Sequence, residues 1–231
     1  MSSVIVFDVN ETLSDLSPLA ARFVAVGAPA SAASLWFTSV LRDGFALSVA
    51  GARPDFGEVA REALTARLSV TTLDQPLDQA VGHVLAGLHE LPVHPDVTQG
   101  VQELAAAGFR LVTLSNGGTA LAEKLLGDAG LRDQFEQLLS VDDAPAWKPS
   151  HEAYAYAARE CGVPREDMVL VASHPWDVDG AIRAGLDAVW VDRHEAHYPA
   201  SFSAPTYTVA GIDGINEVLS QRLGLRTSRP G

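Results

Sequence analysis

Four short runs of aliphatic and β-branched residues set the strongest limit on what this chain can become: "SVIVFDV" at 3–9, "RLVTLSN" at 110–116, "MVLVAS" at 168–173 and "AVWVD" at 188–192. Each reads as a strand buried on both faces, and the intervening segments are long enough for crossover helices. The combination indicates a parallel α/β sheet. Weaker strands are expected at "QLLSV" (137–141) and "TYTV" (206–209), and helices at 95–107, 118–129, 150–161 and 175–184. Pro95 suits a first-turn position, while Gly108 and Gly162 suit C-terminal stops.

The interval 15–92 breaks the alternation, since it holds only helical patterns such as "SAASLWFTSVLRDGFALSVA" and "DFGEVAREALTARL". It reads as a helical cap inserted after the first strand, giving a core of 1–14 and 93–231. The two prolines of "LPVHPDV" at 91–97 mark the return to that core, and the terminal "TSRPG" is expected to fray.

Bulk properties exclude several classes of function. With 231 residues and 47% hydrophobic content, the chain has material for a sizeable interior. A formal charge of -13 and the lack of any Lys/Arg run argue against nucleic acid and anionic membrane surfaces as partners. An anionic substrate would need a few placed cations. The single cysteine, Cys161, cannot form an internal disulfide and lies in "ARECGVP", where a packing role is expected. No hydrophobic leader or membrane-length apolar stretch is evident, so the expected compartment is the cytoplasm.

Ligands of open α/β sheets bind at the carboxyl ends of the strands. Asp8 follows the first strand, Ser115 and Asn116 the second, Lys148 the 137–141 segment, and His174 to Asp177 the 168–173 strand. Each has an ordinary structural explanation. Asp8 to Thr12 suits an Asx-turn, "SNGG" a strand-to-helix turn, Lys148 a solvated surface and Asp177 a helix start. Their joint placement and order favour a site.

With those residues in that order, the chain resembles the haloacid dehalogenase superfamily, over nearly its whole length. Asp8 with Thr12, then Ser115, Lys148 and Asp177, match the superfamily's four motifs. "LSNG" at 114–117, "KP" at 148–149 with Tyr154 beyond, and the Trp176-Asp177 pair are most similar to the L-2-haloacid dehalogenases. The resemblance implies a Rossmann-like core, a helical cap and an active site between them.

Phosphatases of the superfamily carry a second aspartate two residues after the nucleophile, to protonate a poor leaving group. Here that position is Asn10. Halide leaves unprotonated, so a site that displaces it can dispense with the acid. The phosphatase pattern also places a further acidic residue near the fourth motif for magnesium, where this chain has "VASHPWD". No metal or other cofactor is therefore expected.

The implied reaction is attack by Asp8 on the α-carbon of a short 2-haloacid, giving an aspartyl ester that water hydrolyses, with inversion from an L-haloacid to a D-hydroxyacid. Lys148 would keep Asp8 charged, Asp177 would position Lys148, and Thr12 and Ser115 would hydrogen-bond Asp8 or the substrate carboxylate. By similarity, Asn116 and Trp176 face the halide, and Tyr154 shapes the pocket or supports Lys148. Asn10 is placed with the substrate-binding residues.

Two features depart from the family's usual pattern. His174 stands where the better-known dehalogenases have asparagine, and Glu11 precedes Thr12; the two are expected to form a water-activating dyad. The competing arrangement has His174 bonded within its loop and Glu11 in solvent. The early cap helix carries Phe37 where family members place an arginine that grips the substrate. Arg42 is the nearest replacement, with a surface pair to Asp43 as its alternative, and Phe37, Trp36 and Phe45 are expected mainly in the cap core.

The remaining histidines do not form ligand spacings: "HEAH" at 194–197 is too short for a zinc helix, and neither a Gly-x-Gly-x-x-Gly nor a Walker sequence occurs. Competing readings are a superfamily phosphatase acting on small esters with magnesium, and a silent small-acid binder. A homodimer is expected only by analogy.

Overall fold

The computed structural model describes residues 4–220. Six parallel strands form one sheet: β1 Val4–Phe7, β2 Arg110–Ser115, β3 Gln137–Ser140, β4 Met168–Ala172, β5 Asp187–Val191 and β6 Tyr207–Val209. Their order is β3-β2-β1-β4-β5-β6, a Rossmann-like arrangement. Chain order reverses between β1 and its two neighbours β2 and β4, so a crevice opens beyond the carboxyl ends of those strands.

The apolar runs form strands because both faces of the sheet are covered. Val4 and Val6 point into one core, Ile5 and Phe7 into the other, and all four are fully buried. Helices α5 Val97–Ala106 and α6 Thr119–Asp128 supply apolar residues to the second core, and α7 His151–Cys161 and α8 Pro175–Ala184 to the first. Glycines with left-handed φ, Gly162 and Gly185, end α7 and α8.

Every strand expected from the sequence forms; β5 is displaced by one residue toward the N-terminus at unchanged length, and the other five fall short of the expected bounds. The Asp8 amide still donates to the Val171 carbonyl at 3.0 Å, after which the chain leaves the sheet for the site loop. Pro95 is a correction: it lies in the turn before α5, not in the helix's first turn. Asp96, at the cap of that helix, makes no side-chain capping bond. Its carboxylate accepts from the Ile212 amide at 2.6 Å and from Arg193 at 2.8 Å instead. The "TSRPG" segment lies outside the described residues.

Between β1 and α5 the regular elements are all helical: α1 Leu19–Val24, α2 Ala32–Val49, α3 Phe56–Leu68 and α4 Leu77–Ala86, followed by a 3₁₀ turn at Gly87–Glu90. The outgoing and returning chains meet as an antiparallel bridge of Ser14 with Val93. Asp15 N donates to Pro92 O at 2.8 Å and His94 N to Leu13 O at 2.9 Å. Trp36 is fully buried, packs on Phe23 and donates its indole N–H to the Ala60 carbonyl at 2.9 Å, which ties α2 to α3.

Trp147, from the loop after β3, inserts into this helical layer. Its indole N–H donates to Pro54 O at 2.9 Å, and its ring stacks on Phe56. A Cβ on Gly44 would stand 2.1 Å from the Trp147 ring, so α2 needs glycine at the crossing. The residue after that tryptophan is Lys148, and anchoring Trp147 therefore fixes where the lysine enters the crevice.

Candidate active site

At the crevice, the end of β1 delivers Asp8, of which 4% is exposed. Lys148 Nζ donates to Asp8 Oδ1 at 2.9 Å and to Asp177 Oδ2 at 2.6 Å, and Lys148 and Asp177 are completely buried. Tyr154, on α7, donates its hydroxyl to Asp177 Oδ1 at 2.6 Å. Both oxygens of Asp177 are thus occupied, and Tyr154 supports the lysine through Asp177. The crowding is tight: a Cβ on Gly180 would lie 2.5 Å from the Tyr154 hydroxyl.

Burial alone would raise the Asp8 carboxyl, but the Lys148 ammonium and His174 outweigh it and hold Asp8 well below the usual carboxylate range. Asp177 moves the other way, pushed up by burial and by the charge of Asp8, against the pull of Lys148. Burial would depress Lys148, yet Asp177 and Asp8 together raise it, so it remains an ammonium. Of the two carboxylates, Asp8 is the one held firmly as an anion.

The other oxygen, Asp8 Oδ2, accepts a hydrogen bond from Thr12 Oγ1 at 2.7 Å. Thr12 Oγ1 in turn accepts from the backbone N–H of Ser173 at 2.9 Å. The loops after β1 and β4 are thereby laced together directly above Asp8.

On the same side, His174 Nε2 lies 2.8 Å from Glu11 Oε2, and His174 Nδ1 lies 3.4 Å from Asp8 Oδ2 without an aligned hydrogen bond. Glu11 reaches the histidine from a backbone with φ of 60°, a left-handed conformation rare for a residue with a side chain. Burial opposes a charged imidazole, but the neighbouring carboxylates of Asp8 and Glu11 overcome it and raise His174 to about 9.

A cavity of about 610 Å³ opens beside this pair, lined by Glu11, Phe37, Arg42, Phe45, His174 and Trp176 among others. The Trp176 and Phe37 rings lie 5.2 and 6.4 Å from the imidazole, and Phe45 meets Trp176 edge to face. Phe37 and Phe45 are therefore cavity walls as well as parts of the helical layer.

The structure brings Asp8, Glu11, Thr12, Lys148, Tyr154, His174, Trp176 and Asp177 into one connected site, and places other sequence candidates differently. Ser115 does not bond Asp8: its hydroxyl accepts from the Gly117 amide at 2.9 Å, because the turn after β2 needs that acceptor. Asn116 holds the Lys148 backbone from both sides, donating to its carbonyl at 3.2 Å and accepting from its N–H at 3.0 Å. Asn10 lies beside Gly117, where its Nδ2 is 3.6 Å from the site of a Cβ on that glycine. Arg42 is an exposed residue that pairs with Asp43 at 2.7 and 3.0 Å while its stem lines the cavity rim.

Two supporting residues escaped the sequence reading. Ser173 was visible only as part of "VASHPWD", and it acts through its backbone N–H, which no side-chain pattern encodes. Arg193 follows β5 and donates to the Thr12 carbonyl at 2.6 Å while paired with Asp96. Its position just past a strand end was the available signal. Cys161 is buried, with its thiol pushed up to about 11 by burial, which suits packing rather than attack.

A family model described as haloacid dehalogenase-like hydrolase matches residues 3–185. Haloacetate dehalogenase H-2 of Moraxella sp. is 30% identical over 94% of this chain and 97% of its own length. A Pseudomonas putida (S)-2-haloacid dehalogenase is 30% identical over 90% of this chain and 92% of its own. Among solved structures, an L-2-haloacid dehalogenase superposes with a TM-score of 0.88 at 26% identity, covering 95% of this chain and 99% of that one.

Proposed function

The chain belongs to the haloacid dehalogenase-like hydrolases, and from that premise we propose that it removes halide hydrolytically from short 2-haloacids through an ester on Asp8. One observation carries the reading. Asp8 is a buried carboxylate kept ionised by Lys148, and the position two residues on, where a proton donor would serve an alkoxide, holds Asn10. A site with an anionic nucleophile and no acid at that position matches a leaving group that needs no proton. Relatives that act on haloacetate and on (S)-2-haloacids point to the same substrate class.

In the first step an Asp8 oxygen attacks the α-carbon from the face opposite the halide, forming a carbon-oxygen bond as the carbon-halogen bond breaks. A single displacement at carbon inverts its configuration. Lys148 and Thr12 each bond one carboxylate oxygen and orient the other lone pairs toward the substrate. Trp176, Phe37 and Phe45 form the apolar wall around the halide, and the helical segment 15–92 serves as the cap that excludes bulk water.

In the second step water attacks the carboxyl carbon of the Asp8 ester, with His174 as its base and Glu11 fixing the ring. The 2.8 Å contact of Glu11 with His174 favours this dyad over separate roles for the two residues.

The test is a single turnover with 2-chloropropionate in heavy-oxygen water. The first hydroxyacid formed should contain oxygen from Asp8; solvent oxygen in it from the outset would refute the ester. His174→Asn should preserve a stoichiometric halide burst while the ester accumulates, detectable as added mass on the peptide containing Asp8.

A further inference from the structure

The histidine raises a difficulty for its own role. Both ring nitrogens face carboxylates, Nε2 toward Glu11 at 2.8 Å and Nδ1 toward Asp8 at 3.4 Å. Carboxylates only accept hydrogen bonds, whereas a neutral imidazole has a lone pair on one nitrogen and would point it at an anion. The arrangement suits an imidazolium, with a proton on each nitrogen, and an imidazolium cannot accept a proton from water.

The surrounding groups show what relieves this. Lys148 bonds the other oxygen of Asp8, with Asp177 behind it, and Arg42 on the cavity rim is already paired with Asp43. The walls nearest the ring, Phe37 and Trp176, are aromatic. The charges acting directly on His174 are therefore those of Asp8 and Glu11, and the reaction itself cancels the first.

We propose that His174 is a charge switch: an imidazolium while Asp8 is an anion, it releases the Nδ1 proton when Asp8 becomes a neutral ester, and so becomes the base for hydrolysis. The inference rests on the aspartyl-ester reading and adds the timing of the proton. During displacement the imidazolium sits beside the departing halide and the substrate carboxylate, supplying positive charge where Phe37 supplies none. Esterification consumes the Asp8 charge, halide departs with the bonding electrons, and Nδ1 passes its proton to water in the cavity. Nε2–H stays on Glu11 and fixes the tautomer.

Water then adds to the Asp8 carboxyl carbon and gives one proton to Nδ1. Collapse breaks the acyl carbon-oxygen bond, and the alkoxide takes the remaining proton of the attacking water. Asp8 returns as a carboxylate and His174 as an imidazolium, so the resting state regenerates itself. One proton is released per halide, and it leaves in the first half of the reaction. The raised proton affinity of His174, in which Asp8 has a large share, agrees with this order.

The test is ¹⁵N-histidine NMR of the full chain, with the His174 signal assigned by its loss in His174→Asn. In the wild type at pH 7.5 both ring nitrogens should be protonated. Asp8→Asn, which carries the neutral charge of the ester, should lower the midpoint by about one pH unit or more, at least tenfold in proton affinity. Asp8→Ser repeats the measurement with a smaller uncharged side chain, in case the amide disturbs the loop. A neutral His174 in the resting wild type, or a midpoint unmoved by both substitutions, overturns the switch. Halide release by the same wild-type sample is scored in parallel. Absent halide removes the ester reading and the switch with it, whereas halide with an unmoved midpoint removes the switch alone.

Discussion

The two flanks of Asp8 are built on opposite terms. On one side Lys148, Asp177 and Tyr154 are completely buried, and each Asp177 oxygen has a donor. On the other, the Glu11 side chain is 40% exposed, its backbone is in a left-handed conformation, and His174 Nδ1 has no aligned partner. A sealed network holds one charge state, because changing it would strand a buried charge. A flank that borders a cavity, with a nitrogen to spare, can exchange protons. On the proposed aspartyl-ester route, the difference suits the first flank to keeping Asp8 ionised and the second to a step in which a proton must move.

The strongest way to break that contrast is to open the sealed flank. Lys148→Met leaves Asp8 and Asp177 facing each other without their shared cation. Removing one partner of a buried charge network costs about 3–5 kcal/mol. Halide release should fall by about 10³-fold, the scale on which loss of a preorganised charged or hydrogen-bonding group affects catalysis. Urea denaturation and a halide assay on the folded fraction measure the two effects separately. If halide release survives within tenfold, the lysine does not maintain the nucleophile and the flanks do not differ as described.

A second experiment sharpens the contrast through pH. His174 is raised in the fold from an ordinary 6.5 to about 9. Its contribution to stability is therefore fully present below pH 6.5 and is lost as pH rises through about 9. Asp8 is lowered from 3.8, so its contribution is present above about pH 4 and is lost on acidification. Thermal unfolding of the wild type should show declining stability between pH 6.5 and 9, and His174→Asn should flatten that arm while leaving the acid arm in place. Parallel alkaline arms in both proteins would mean that the open flank holds no extra proton.

The sheet and the sealed flank were legible in the sequence for physical reasons. Strands covered on both faces require continuous apolar runs, and a residue at the end of such a run is carried to the crevice, as with Asp8 and His174. The Glu11 and His174 pairing was also accessible, because the loops after β1 and β4 emerge from adjacent strands. What the sequence could not display was the local hydrogen bonding. Ser115 and Asn116 also bond within the chain, to the Gly117 amide and the Lys148 backbone, and each keeps a hydrogen to donate elsewhere. The Ser173 amide acts through the backbone and leaves no side-chain signature at all.

The smallest expected effect tests how far the open flank extends toward solvent. Arg42 lines the same cavity as His174, yet its guanidinium makes two hydrogen bonds to the adjacent Asp43 and its side chain is 70% exposed. An exposed pair is weak in water, and its cation is already screened by a neighbouring carboxylate. If His174 supplies the positive charge near the substrate, Arg42→Gln should change KM within about threefold and leave kcat unchanged. Steady-state halide release from 2-chloropropionate at low salt, where any surface contribution is largest, makes the measurement most demanding. A KM increase of about 30-fold or more would require Arg42 to leave Asp43 and turn inward with substrate bound, moving the carboxylate clamp from the crevice loops to α2.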